Sequence, residues 1–301
     1  MPSSIPGRPR QAGAPEHDSP VIAWIGGGQM AAALMAGLLR SGWSAGRMIV
    51  VEPDAAQRHR LAATLGVRTL PAPDAVLAEA GVAVWAVKPQ MLAAAAAAAV
   101  PVLGAPLHVS IVAGIGADTL ACRFGSRRIV RVMPNTPALV GAGVAGLRAM
   151  DGATAADRQL AQALMAATSH VFWVDSDERI DAVTAASGSG PGYVFHFLEC
   201  FQAAVEALGF APQQARELVL RTAAGAVEQA AADQTPFAVL RERVASRGGT
   251  TEAGLQALDD YRLPAAVAQA VQRAYARARA LSGEPSPQPG QDRPDQASRA
   301  L

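Results

Sequence analysis

Between residues 21 and about 174, short apolar runs alternate with longer segments of helical spacing. "VIAWI", "MIVV", "VAVWAV", "HVSIVA", "RIVRVM", "VAGL" and "VFWV" are runs of four to six residues, mostly apolar and rich in β-branched side chains. Such runs, with helices between them, predict strands of a parallel sheet covered on both faces. From about 177 to 281 no strand-like run remains, and helices are predicted over 191–208, 212–232, 236–244, 250–259 and 264–281. The expected fold class is α/β: an N-terminal Rossmann-like doubly wound sheet over 20–175, followed by an all-α C-terminal domain over 176–281. The flanks, 1–19 and 282–301, are rich in Pro, Gly, Ser and charge and are expected to be a disordered extension and tail.

Composition narrows the class further. Half of the 301 residues are hydrophobic but only 5% are aromatic, so the core is expected to rest on small side chains packed closely. A net charge of +1 with acids and bases interspersed leaves no footprint for nucleic acid. Cys122 and Cys200 have no paired spacing, which predicts neither disulfides nor zinc and suits a reducing cytoplasm. The five histidines are scattered, so no metal site is expected. No apolar segment precedes residue 20 as a secretory signal would require. The uncharged stretch from Met91 to Ala117 is broken by Pro101, Gly104, Pro106, His108 and Gly114, and is too fragmented to span a bilayer.

The candidate chemistry starts after the first predicted strand. Gly26-x-Gly28-x-x-Ala31 stands between a strand and a helix, as the dinucleotide fingerprint does. Gly26 permits the tight turn, Gly28 lets backbone approach a pyrophosphate at the positive end of the helix, and Ala31 keeps helix and strand close. Gly27, Gln29 and Met30 share this turn as candidate cofactor contacts. A glycine turn of purely structural origin is the alternative. Glu52 ends the second predicted strand, where a carboxylate can accept both ribose hydroxyls and would repel a 2′-phosphate. That favours NADH over NADPH. Arg58 and Arg60 would soften the preference, and Glu52 could instead cap the helix starting near Asp54.

Lys88 is the only lysine in the chain. "VAVWAVKPQ" ends a strand, and Pro89 cannot continue it. In an open α/β sheet the ligand crevice lies outside the carboxyl ends of the strands, so Val87, Lys88 and Pro89 face the cofactor side. The same holds for Ala113 and Gly114 in "SIVAGIG", and for Asn135 in "MPNTP", whose amide is expected to face the crevice.

Taken together, "IGGGQMAAAL", "AVKPQ", "SIVAGI", "RVMPNTPALVGAG", "DAVTAASGSGPGYVFHFLE" and "VASRGGTTEAGLQALD" resemble the pyrroline-5-carboxylate reductase family over about residues 21–281. Two departures stand out: Gly192 where the family has alanine, and Arg247 where it often has proline. The resemblance implies hydride transfer from NADH or NADPH to the cyclic imine 1-pyrroline-5-carboxylate, giving L-proline, the last step of proline biosynthesis. It also implies a dimer formed by the helical domain, with rings of dimers as a further assembly.

The substrate so implied is an imine bearing a carboxylate. Gly248 and Gly249 are expected to expose N–H groups to that carboxylate at a helix start. Resemblance places the Thr251 hydroxyl at the imine nitrogen, with Ser246 and Thr250 in the same loop. A helix cap formed by Thr250 and Thr251 is the bland alternative. Tyr193, Phe197 and Phe201 form a stripe that suits core or subunit contact. A β-hydroxyacid dehydrogenase, the nearest enzymatic rival, uses a lysine of its second domain as acid/base, and this chain has no lysine after position 88. A nucleotide-binding sensor without catalysis is the rival from another class.

Overall fold

A computed structural model describes residues 19–283, so the extension and tail expected to be disordered lie, but for Ser19, Ser282 and Gly283, outside the described residues. These residues form two compact units, one of 19–188 with 272–283 and the other of 189–271.

The first unit is built on one eight-stranded sheet. Its strands are β1 (Val21–Ile25), β2 (Met48–Val51), β3 (Arg68–Leu70), β4 (Ala80–Trp85), β5 (Leu107–Ser110), β6 (Ile129–Met133), β7 (Gly143–Ala149) and β8 (Ser169–Trp173), in the order β3-β2-β1-β4-β5-β6-β7-β8. The helices α1 (Gln29–Arg40), α2 (Ala55–Leu65), α3 (Leu92–Ala99), α4 (Ala117–Phe124), α5 (Ala155–Ala166) and α6 (Asp177–Val183) connect and follow them. Side chains alternate between two cores, as the two-residue strand period demands. Ile22, Trp24, Val82, Val84 and Val109 pack with Leu34 of α1 and Leu164 of α5. Ala23, Ile25, Ala83 and Trp85 pack on the other face with Ala96 of α3 and Leu120 of α4.

Two features differ from expectation. The edge strand β3 is only three residues long and carries an exposed Arg68, so no apolar run announces it. The sheet is also mixed. β6 pairs with β7 antiparallel, with Met133 opposite Gly146, and β8 then runs parallel to β7. The cause is connection length: between Met133 and Gly143 the chain forms only a short 3-10 turn, Thr136–Val140. A parallel return needs a crossover of a dozen or more residues.

The second unit holds α7 (Gly190–Glu206), α8 (Pro212–Ala232), α9 (Phe237–Val244), α10 (Thr250–Asp260) and the start of α11 (Leu263–Ser282). Only Ala215 and Val219 are buried in it. Phe195, Leu208, Phe237 and Tyr261 are 65%, 78%, 79% and 89% exposed. Five helices with almost no core of their own present an apolar surface of the kind that marks an interface.

Candidate functional site

The strand order reverses at β1, which lies between β2 and β4. In such sheets a ligand crevice opens at this switch point, beyond the carboxyl ends of the strands. The Gly26 N–H donates to Val51 O at 2.9 Å, and the Ala86 N–H donates to Ile25 O at 2.8 Å. These bonds tie the turn after β1 to the ends of β2 and β4.

The glycines of the turn have separate physical reasons. Gly26 has φ +101°, and a Cβ there would stand 2.7 Å from Ala86 O, so conformation and close approach both require glycine. A Cβ on Gly27 would meet Leu61 Cδ1 at 2.6 Å. Gly28, the N-cap of α1, has open space where a side chain would be. No side chain caps α1 and its first turn carries no acid, so its leading N–H groups are left for an anion. The turn therefore fits a pyrophosphate. Gln29 is exposed and Met30 half-buried beside it.

Glu52 closes the other side of this turn. Its Oε2 accepts the Gly27 N–H at 2.9 Å, and its Oε1 accepts the Asp54 N–H at 3.0 Å. It does not cap α2, because Asp54 does so through the Ala56 N–H at 2.9 Å. An ionised carboxylate has about four acceptor positions, which leaves Glu52 capacity for ribose hydroxyls. Arg58 spends Nη1 on the carbonyls of Glu52 and Pro53, both at 2.8 Å.

After β4, Val87 is half-buried while Lys88 and Pro89 are exposed, and the Met91 N–H returns to Lys88 O at 2.8 Å to form a single 3-10 turn. After β5, Ala113 is exposed and Gly114 has φ +68°. Asn135 departs from expectation. It is 7% exposed, its Oδ1 accepts the Val144 N–H at 2.8 Å, and its Nδ2 donates to Ser187 Oγ and O at 3.0 and 3.2 Å. Its amide thus fastens the end of β6 to the start of β7 and to the π-helical residues Thr184–Gly188, and is not turned to the crevice.

In the helical unit, Ser246, Gly248 and Gly249 lead into α10. Gly248 has φ +69°, which favours glycine. Neither glycine N–H is free, contrary to expectation: Gly248 donates to Glu252 Oε2 at 2.7 Å and Gly249 to Ser246 O at 2.9 Å. The reason is local, because the turn folds back on itself to start the helix. No side chain caps α10. The leading N–H groups of Thr250, Thr251 and Glu252, which the helix does not itself satisfy, are therefore the donors of this loop open to an anion. The bland alternative, a Thr cap, is not what the loop adopts. Arg247 stands exposed in the same loop.

An open anion turn at the switch point of such a sheet is the mark of dinucleotide-dependent oxidoreductases of the Rossmann type. A family model described as pyrroline-5-carboxylate reductase dimerisation matches residues 177–281, and one described as NADP oxidoreductase, coenzyme F420-dependent, matches residues 21–114. The pyrroline-5-carboxylate reductase of Pseudomonas aeruginosa is 39% identical over 266 residues, 88% of this chain and 97% of that one. That of Haemophilus influenzae is 39% identical over 264 residues, 87% and 97% of the two chains. Among solved structures, the enzyme of Coxiella burnetii matches with TM-score 0.81 and 33% identity, over 88% of this chain and 99% of that one. The Plasmodium falciparum enzyme, solved with NADP bound, matches with TM-score 0.80 and 26% identity over 89% and 100%. The chain belongs to the pyrroline-5-carboxylate reductase family.

Proposed function

We propose that the protein reduces 1-pyrroline-5-carboxylate to L-proline, with NADH preferred over NADPH. The observation that carries this reading is the Ser246–Thr251 loop: an uncapped helix start with a threonine hydroxyl in its first turn suits a small cyclic imine bearing a carboxylate. The first N–H groups of α1 hold the cofactor pyrophosphate, and Gly26, Gly27 and Gly28 shape the turn that lets it come close. Glu52 orients the ribose, and Val87, Lys88, Pro89, Ala113 and Gly114 line the crevice. When bound, the nicotinamide supplies the hydride. The N–H groups of Thr250 and Thr251 hold the substrate carboxylate. The Thr251 hydroxyl hydrogen-bonds the imine nitrogen and keeps a proton there, which makes the ring carbon the better hydride acceptor. Lys88 is a positioning group on the cofactor side.

The exposed apolar helices make a second copy of the chain the natural partner. We assign the helical unit to a dimer interface, with rings of dimers as the next level. The two exposed free thiols, Cys122 and Cys200, support a reducing compartment, the cytoplasm, as the enzyme's location.

The test follows nicotinamide absorbance on mixing the protein with pyrroline-5-carboxylate and NADH or NADPH in turn. Turnover should be seen, with the lower KM for NADH, and Thr251→Ala should lower kcat/KM by about a hundredfold. Folded protein that binds a nicotinamide cofactor but turns over neither would sink the assignment.

A further inference from the structure

Away from the glycine turn, the sheet carries a cluster of charges that the reaction does not use. Arg131 of β6 and Asp181 of α6 are 2% and 1% exposed and meet through Nη2 and Oδ1 at 3.1 Å. Asp177 Oδ1 lies 2.9 Å from Arg131 Nη1 and 2.7 Å from Arg148 Nη1 of β7. Its other oxygen, Oδ2, accepts the Ala117 N–H at 2.8 Å. Asp181 Oδ2 in turn accepts from the Ser282 hydroxyl at 2.9 Å, at the end of α11.

Such a cluster is poor value as stabilisation, since buried ion pairs are often matched or bettered by apolar side chains. Its geometry suggests another use. Residues 111–116 link β5 to α4 and flank the crevice. The start of this loop is pinned by the Ile111 N–H to Trp85 O at 3.0 Å. Its far end has no local cap, because Gly116 stands at the N-cap of α4 without a side chain, and the cap is supplied by Asp177 from sixty residues away. Between these anchors, Gly114 rests against the last turn of α11, where a Cβ on it would lie 2.9 Å from Leu281 Cβ.

We propose that Asp177 is a positioning residue for cofactor binding: by holding the Ala117 N–H while it is itself held by Arg131 and Arg148, it sets the Ala113–Gly116 loop against the crevice, with Leu281 as the loop's backstop. The proposal rests on the reading of that crevice as the nicotinamide site. Asp177 touches neither cofactor nor substrate. Its two oxygens serve different partners, so an amide, with one acceptor oxygen, cannot serve both.

The test is Asp177→Asn, measured by titration with NADH and with NADPH, by kcat and KM, and by amide hydrogen exchange of the protein without cofactor. Exchange across 113–118 should accelerate. The Kd of the preferred cofactor should rise about tenfold while kcat stays within about twofold. A folded variant with wild-type exchange and wild-type Kd overturns the proposal. Should Asp177→Asn fail to fold, Leu281→Gly decides, because it removes the Cβ that faces Gly114, and Leu281 is 53% exposed and stands outside the charge cluster. It should weaken cofactor binding about threefold, and an unchanged Kd overturns the proposal. Wild-type protein that binds NADH yet leaves the imine unreduced sinks the functional reading and spares this one. Wild-type protein that binds neither nucleotide overturns both.

Discussion

The carboxylate of Glu252 receives the Gly248 N–H at 2.7 Å, so an acidic side chain already stands at the helix start proposed to bind the substrate carboxylate. Two like charges then share one exposed loop. Glu252→Gln keeps an acceptor for Gly248 and removes the charge. It should lower KM for the imine by about two- to fivefold at low salt, the effect of one exposed charge pair. High salt should erase the difference, since exposed charges are screened within about 10 Å at 0.1 M. A KM that rises instead would show that Glu252 attracts the substrate rather than opposing it.

Lys88 is exposed at the crevice edge and starts a 3-10 turn. Its ammonium is expected to add a modest attraction for the phosphates of the cofactor and nothing to chemistry. Lys88→Met should weaken cofactor binding about two- to fivefold with kcat unchanged. Lost turnover with normal cofactor binding would make Lys88 a catalytic group.

His108 predicts a pH dependence of stability. It is buried under Phe124, 4.8 Å between ring centroids, and its Nδ1 accepts the Trp85 indole N–H at 3.1 Å. The bond assigns the neutral tautomer with the proton on Nε2. Burial, with a smaller push from the nearby Arg128 charge, lowers its pKa from 6.5 to about 4. The unfolded chain therefore takes up a proton that the folded protein refuses. Stability from this group is complete above pH 6.5, falls as pH drops towards about 4, and totals roughly 3 kcal/mol. Urea unfolding across that window should show the loss. His108→Gln, which preserves an acceptor for Trp85, should flatten the slope, and an unaltered slope would assign it elsewhere.

Phe197 and Phe201 lie one turn apart on α7 with ring centroids 6.0 Å apart, and are 49% and 37% exposed. On the dimer reading they are buried against a second copy. Phe197→Asp should raise the dimer dissociation constant about thirtyfold or more, as loss of an interface anchor does. Sedimentation should then show monomer, and the wild-type melting temperature should rise with concentration where that of the variant does not. A variant still dimeric at low concentration would move the interface off this stripe.

Legibility in the sequence followed the kind of force involved. Long helices of the second unit are announced by spacing: 212–232 is α8 as expected, and the other four differ by at most two residues at an end. The strands β1, β2, β4, β5 and β6 were equally plain, because burial on both faces leaves little choice of side chain. β3 was not, being a polar edge of three residues. The direction of β7 depended on loop length, which strand composition does not carry. At the site, the glycine turn was visible because conformation demands it. What escaped were hydrogen bonds between distant residues: Asn135 to Ser187, and Asp177 to Ala117. Nothing in "MPNTP" or "DSDERID" names those partners.

The reversal at β7 also settles how modular this chain can be. With β7 and β8 running against the other strands, the chain finishes the sheet away from the crevice, and α6 with the π-helical residues carries it back until Ser187 meets Asn135. Gly188 follows, where a Cβ would stand 2.6 Å from Met133 Cε, the free end of a flexible side chain that must turn aside to admit it. Any recombination that grafts another helical domain onto this sheet must therefore leave Met133 free to move if it replaces this glycine. It must also keep Asn135 and Ser187 from the same parent, or the splice will disturb the end of β6 at the mouth of the crevice.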